Sequence, residues 1–221
     1  MRRFVIAFSG RAGSSFLEGL IDSHPDARCY GEIFADHPTA RSLSEQETQE
    51  RLDRMIHQQS GLAACGFKLP FITVKQPPRM TDILKESDYR IIHITRRNKL
   101  KQVVSYVLAT TNKAWRSDFG SYTTDRFSVD PEHVLEQIDE MNKIDRGTTE
   151  LIAGFPVLPI SYEDVVTEAA IPAVLDFLDL PPAALESRYE RQRKLSVRET
   201  LLNYDAIATA LEDRGMAHFL D

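Results

Sequence analysis

Short apolar runs alternate along this chain with helix-periodic segments, and that alternation constrains the fold more than any other feature. Phe4–Phe8 reads as a buried strand and Ala64–Leu69 as a second. Tyr89–Thr95, β-branched and bounded by charges, is the clearest strand, and Pro156–Ser161 is the last. Between them Ser14–Asp22, Leu43–Gln59, Met80–Lys85, Leu100–Thr111 and Pro131–Leu151 read as helices. The first is stopped by His24-Pro25, the second is entered at Ser42 or Ser44, and the last carries Pro131 in its first turn, where a missing N–H costs nothing. From Tyr162 onward the pattern is mostly helical, broken at Pro172 and at Pro181-Pro182. Strands separated by helices imply a parallel sheet wrapped on both faces. The expectation is therefore an α/β chain of one domain, 1–221, with a central parallel sheet flanked by helices. A length of 221 residues is enough to bury a core without disulfide or metal staples.

The bulk properties exclude several classes. Hydrophobic residues make up 42% and charged residues 27%, the mix of a soluble globular chain. No apolar run approaches the roughly 20 residues of a membrane span, so none is expected. Phe4–Phe8 ends at Ser9-Gly10 without a cleavage-site pattern and reads as a strand, not a signal peptide. The net charge of −6 argues against a nucleic-acid partner, and any anion site must be built locally from a few placed cations. Of the two cysteines, Cys29 and Cys65, a reduced pair in a cytoplasmic protein is the first reading and a single disulfide the alternative. The six histidines show no metal-ligand spacing and there is no C-x-x-C, so no metal site is expected.

The strongest local signal is Ser9-Gly10-Arg11-Ala12-Gly13-Ser14-Ser15-Phe16-Leu17, which leaves a buried strand and opens a helix. Its glycines allow a tight turn and close backbone approach. The amides at the helix start, with the hydroxyls of Ser14 and Ser15, suit an anionic oxygen cluster, and Arg11 adds a permanent charge. An ordinary serine-capped turn is the bland alternative. The ATP-binding loop of kinases and NTPases needs a lysine just before its hydroxyl residue, and here Gly13 occupies that place.

This loop resembles the 5′-phosphosulfate-binding loop of the PAPS-dependent sulfotransferases (PAPS, 3′-phosphoadenosine 5′-phosphosulfate), whose common form is K/R-S-G-T/S-T/S-W/F-L. Arg11, Gly13, Ser14, Ser15, Phe16 and Leu17 match, and Ala12 departs where that family often has serine. The arginine, the Ser-Ser-Phe-Leu run and the downstream His-Pro and Gly-Glu resemble the bacterial carbohydrate branch, which includes the nodulation-factor and trehalose sulfotransferases. The resemblance implies a P-loop-like sulfotransferase architecture, with PAPS as donor, PAP as product and no metal. It also implies a second anion site, in which a strand leads to an arginine and, eight residues on, a helical serine. Here Tyr89–Thr95 leads to Arg97 and then Ser105, lacking only the common Pro after Asn98. Arg97 would fork onto the 3′-phosphate and Ser105 would add a hydroxyl. Glu190-Arg191-Gln192, followed by Asn203-Tyr204, resembles more loosely a nucleotide-contacting segment, which makes Arg191 and Gln192 further candidates; a solvated basic helix face is the alternative.

Transfer to a hydroxyl calls for a base. In the similar carbohydrate branch a glutamate in the position of Glu32, within Tyr30-Gly31-Glu32, is the proposed base, and His37 is the nearby alternative. Lys68, at the end of the second strand, would hold the sulfate or the acceptor, or else be a solvated strand end. Arg11 would stabilise charge on the leaving phosphate, since a guanidinium gives up no proton. The aromatic-rich, aperiodic stretch Asn112–Asp130 reads as a functional loop over a ligand cleft. The implied reaction is sulfuryl transfer to a hydroxyl of a carbohydrate or glycosylated small molecule. A P-loop-type kinase or NTPase and a non-catalytic nucleotide-binding module are the alternatives.

Overall fold

A computed structural model describes residues 1–34, 44–71, 79–115, 122–190 and 195–220. The chain divides into two compact units, Met1–Thr95 with Ile144–Arg188 and Arg96–Lys143 with Tyr189–Asp221.

The first unit is built on five parallel strands in the order β2-β3-β1-β4-β5. They are β1 (Arg2–Phe8), β2 (Ala27–Cys29), β3 (Ala64–Leu69), β4 (Tyr89–Thr95) and β5 (Val157–Ser161). Alternating side chains send β1 residues to opposite faces. Phe4, Ile6 and Phe8 pack with Ile92, Ile94 and with Leu17, Leu20 and Ile21 of helix α1 (Ser14–Asp22). Val5 and Ala7 pack with Phe67 and Ile91 against Leu52 and Ile56 and against Leu84 of the opposite layer. This is the helix-wrapped parallel sheet that the alternation of segments predicts.

Three details differ from the sequence expectation. Strand β2 was not foreseen, because three residues with an outward Arg28 leave no periodic signal. The predicted helix Leu43–Gln59 is shorter: α2 spans Glu45–Leu52 and continues as a π-helical turn, Asp53–His57. Its entry is Ser44, whose side chain accepts from Glu47 N–H while the Glu47 carboxylate accepts from Ser44 N–H, a reciprocal capping box. Pro172 does not break a helix but lies in the first turn of one, Ile171–Phe177, where its fixed φ fits. After Leu180, residues 181–190 carry no helix or strand, as Pro181-Pro182 predicted. Helix α3 (Met80–Glu86) lies where it was expected.

The cysteines lie on neighbouring strands but belong to opposite layers, Cys29 in one and Cys65 in the other, and both are free thiols. Burial pushes the Cys65 thiol from 9.0 up to about 11. Burial, followed by the Glu18 carboxylate, pushes Cys29 higher still.

The second unit is helical. Its core joins Leu100, Val104 and Leu108 of α4 (Lys99–Asn112), Val134 and Ile138 of α5 (Pro131–Ile152), and Ile207 and Leu211 near the C-terminus. Asn98 caps α4 by accepting from Lys101 N–H at 2.8 Å, and its amide donates to Phe219 O at 2.9 Å. This cap supplies a helix start without the proline that the resembling family places after the asparagine.

Candidate functional site

The loop after β1 is shaped by two left-handed residues. Ala12 N–H donates to Ser9 O at 3.2 Å, closing a turn in which Arg11 takes φ 63°. Gly13 follows at φ 92° as the N-cap of α1. It has no side chain to cap the helix, so the first amides of α1 are left to the loop, the arrangement that favours an anion. A Cβ on Gly13 would collide with the Tyr162 ring just after β5. Ala12 is fully buried in the apolar layer with Leu17 and Phe8, which accounts physically for an apolar residue where serine is common. Ser14 is buried, and Ser15 and Phe16 are half-buried.

Lys68 reaches this loop from β3, whose register sets it beside Ile6. It is not a solvated strand end: its side chain is 1% exposed. Its Nζ donates to Ser15 Oγ at 3.0 Å and pairs with Glu18 Oε2 at 2.9 Å and Glu32 Oε1 at 3.4 Å. The same ammonium stands 5.6 Å from the centre of the Phe8 ring. A lysine can stay buried only with such partners.

Glu32 arrives there because the backbone after β2 continues to pair with β3. Tyr30 N–H donates to Gly66 O at 2.9 Å, and Lys68 N–H donates to Gly31 O at 2.8 Å. Beyond Glu32, the Ile33 carbonyl accepts from the Arg51 guanidinium, and Ile33 and Phe34 sink into the core. Glu32 keeps 37% of its side chain exposed, whereas Glu18 keeps 2%. Glu18 Oε1 faces Arg188 Nη2 at 3.4 Å, and Arg188 also pairs with Asp22 at 3.2 Å.

The structure thus brings Ser15, Lys68 and Glu32 together, with Arg11 in the same loop. Glu18 and Arg188 are additional members that the sequence reading missed. The available signal was a carboxylate within the apolar run Phe16-Leu17-Glu18-Gly19-Leu20-Ile21, which a solvated helix face would not place there.

The second predicted anion site lies in the other unit. Arg97 is exposed and directly precedes the α4 N-cap, and Ser105 is half-buried two turns into that helix. The Asn203 side chain donates to Val129 O at 2.8 Å and accepts from Val129 N–H at 3.3 Å, and Tyr204 is buried in the helical core. In the aromatic-rich stretch, Asn112 organises the described part by accepting from the N–H groups of Thr123 and Thr124, each at 2.8 Å. Trp115 meets Tyr106 edge to face at 5.7 Å. His37, Arg191, Gln192 and residues 116–121 lie outside the described residues. Among the described residues no group of three or more His, Cys, Asp or Glu is placed to hold a metal, and no helix is long and apolar enough to cross a membrane.

No protein-family profile and no curated protein sequence matches this chain. Solved structures do. A sulfotransferase from Alicyclobacillus acidocaldarius aligns over 99% of this chain and 96% of its own, with a TM-score of 0.54 and 14% identity. The mouse sulfotransferase SULT7A1 complexed with PAP aligns over 83% of this chain and 61% of its own, with a TM-score of 0.49 and 14% identity. With its five-stranded parallel sheet, its strand–loop–helix start and its match to the bacterial enzyme along nearly its whole length, this chain has the P-loop-like α/β fold of the sulfotransferases.

Proposed function

We propose that this protein transfers the sulfuryl group of PAPS to a hydroxyl of a carbohydrate or a glycosylated small molecule. The observation that carries this reading is the buried Lys68 ammonium, 3.0 Å from Ser15 Oγ in the loop after β1 and 3.4 Å from the Glu32 carboxylate. An anion loop, a fixed cation and a solvent-reaching carboxylate are what an in-line sulfuryl transfer requires. The acceptor oxygen bonds to sulfur as the bond from sulfur to the 5′-phosphate oxygen breaks, giving a sulfate ester and PAP. The acceptor proton goes to Glu32, with His37 as the other candidate base. As in phosphoryl transfer, most of the catalytic work is positioning and charge stabilisation.

The loop Arg11, Ala12, Gly13, Ser14, Ser15 and Phe16 is assigned to the 5′-phosphosulfate end. Arg11 and Lys68 stabilise the charge that develops on the leaving phosphate and on the sulfuryl oxygens. The 3′-phosphate is assigned to Arg97 and Ser105, and a further nucleotide contact to Arg191 and Gln192; these assignments are supported by the motif resemblance. Residues 1–221 are read as one sulfotransferase-like domain, supported by the alignment over 99% of the chain. A cytoplasmic setting is supported by the two buried free thiols.

Two measurements test the reading together. PAP should raise the melting temperature by mass action, and ATP with Mg²⁺ should not. Labelled PAPS should pass its label to at least one member of a panel of glycans and glycosides. Stabilisation by ATP with Mg²⁺ in place of PAP would turn the assignment to a kinase or NTPase. Stabilisation by PAP without transfer to any acceptor would turn it to a binding module.

A further inference from the structure

Two carboxylates share one ammonium beside the loop, and they differ in what can reach them. Glu32 is partly open at 37% exposure, while Glu18 is closed off at 2%. Glu18 lies three residues after Ser15 on α1, one helical turn along the same side, so both bracket Lys68 from one element. Gly31, at φ 68°, takes a left-handed turn beside Glu18, where an added Cβ would meet Glu18 Oε1 at an ordinary 3.6 Å. Arg188 balances the second Glu18 oxygen from the far side.

This arrangement has a consequence for proton transfer. A buried ammonium is strongly disfavoured without a counter-charge. If Glu32 takes the acceptor proton, it becomes neutral while Lys68 must remain a cation. We propose that Glu18 is a positioning residue that keeps Lys68 charged and aimed at Ser15 throughout turnover, leaving Glu32 able to cycle between carboxylate and acid. The proposal rests on the sulfuryl-transfer reading above. Glu18 is too buried to touch an acceptor, so it acts only through Lys68.

The test is Glu18→Gln, which keeps the shape and removes the charge. With PAPS and a working acceptor, kcat should fall on the order of 10- to 100-fold, the size of one lost charged hydrogen bond, with smaller changes in KM and in PAP affinity. In a Lys68→Met background the same substitution should add no further loss in kcat. The double variant should also melt above Glu18→Gln alone, since the buried ammonium, left there with only the more distant, partly exposed Glu32, is then gone. Should Glu18→Gln fail to fold, Glu18→Asp keeps the charge but withdraws it from Nζ, and it should lower kcat in the same Lys68-dependent way. An active wild-type protein whose Glu18 variant keeps the wild-type kcat, or loses equally with and without Lys68, overturns the proposal and leaves the function standing. A wild-type protein that neither responds to PAP nor transfers sulfate removes both.

Discussion

Arg97 and Glu32 are the residues on which the proposed chemistry divides. Arg97 should sense only the 3′-phosphate. Arg97→Ala should therefore weaken PAP by about 1.5–3 kcal/mol while leaving adenosine 5′-phosphosulfate nearly untouched. Parallel titrations of the two nucleotides measure this, and equal losses would remove Arg97 from the site. Glu32→Gln preserves hydrogen-bonding reach and removes the basic lone pair. PAP binding should persist and turnover should fall by about 10²–10⁴, the usual contribution of a positioned base. Near-normal turnover would move suspicion to His37, and loss of PAP binding would make Glu32 structural. Both residues were legible in the sequence as members of short motifs. Glu18 could be marked only as a carboxylate inside an apolar run, since its role depends on a lysine from a distant strand that nothing near it in sequence announces.

At the scale of elements, the strand–loop–helix unit Arg2–Asp22 is the most sharply specified part of the chain. A continuous apolar run set the strand, and α1 has the bounds the sequence predicts, Ser14–Asp22, because its apolar stripe begins at the loop and its C-cap is Ser23. The loop between them depends on Gly13 twice, for φ 92° and for room beneath the Tyr162 ring. Gly13→Ala should cost about 1–3 kcal/mol for the left-handed backbone alone, with the ring collision added. A lower melting temperature and a weakened response to PAP are expected. Adding Tyr162→Ala should recover part of the stability by relieving the collision but not the backbone strain. Wild-type melting in the single variant would show that the loop can shift at no cost. Strand β2 shows the opposite case. Its three residues pair with β3 at Ala64, Cys65 and Gly66, and it is this pairing that carries the following Glu32 to Lys68. An element so short has no periodicity of its own to read.

At the scale of the whole molecule, the thiols report on the integrity of the sheet. In the folded state burial holds Cys65 protonated up to about 11, from an ordinary 9.0. The unfolded chain ionises that thiol from its ordinary value upward, so above it the unfolded state carries fewer protons than the folded one. Stability should then fall as pH rises from about 9 toward 11, by no more than about 3 kcal/mol from this group at 1.36 kcal/mol per pH unit. Denaturant titrations across that range should show the decline, and Cys65→Ala should flatten part of it. Cys29 and Tyr89, both raised by burial, continue the slope in the variant. A stability flat from pH 8 to 11 would mean that these groups are hydrated in the folded state. Sequence alone determined the helix-wrapped parallel sheet, the strand–loop–helix start around Gly13 and the serine entry of α2, because each depends on side chains within a few positions of one another. Only the tertiary structure decided the strand order, the placement of Cys29 and Cys65 on opposite layers, and the buried cluster of Ser15, Glu18, Glu32 and Lys68. Those depend on which distant segments pair, and a buried charge can be understood only from the partners that the fold brings to it.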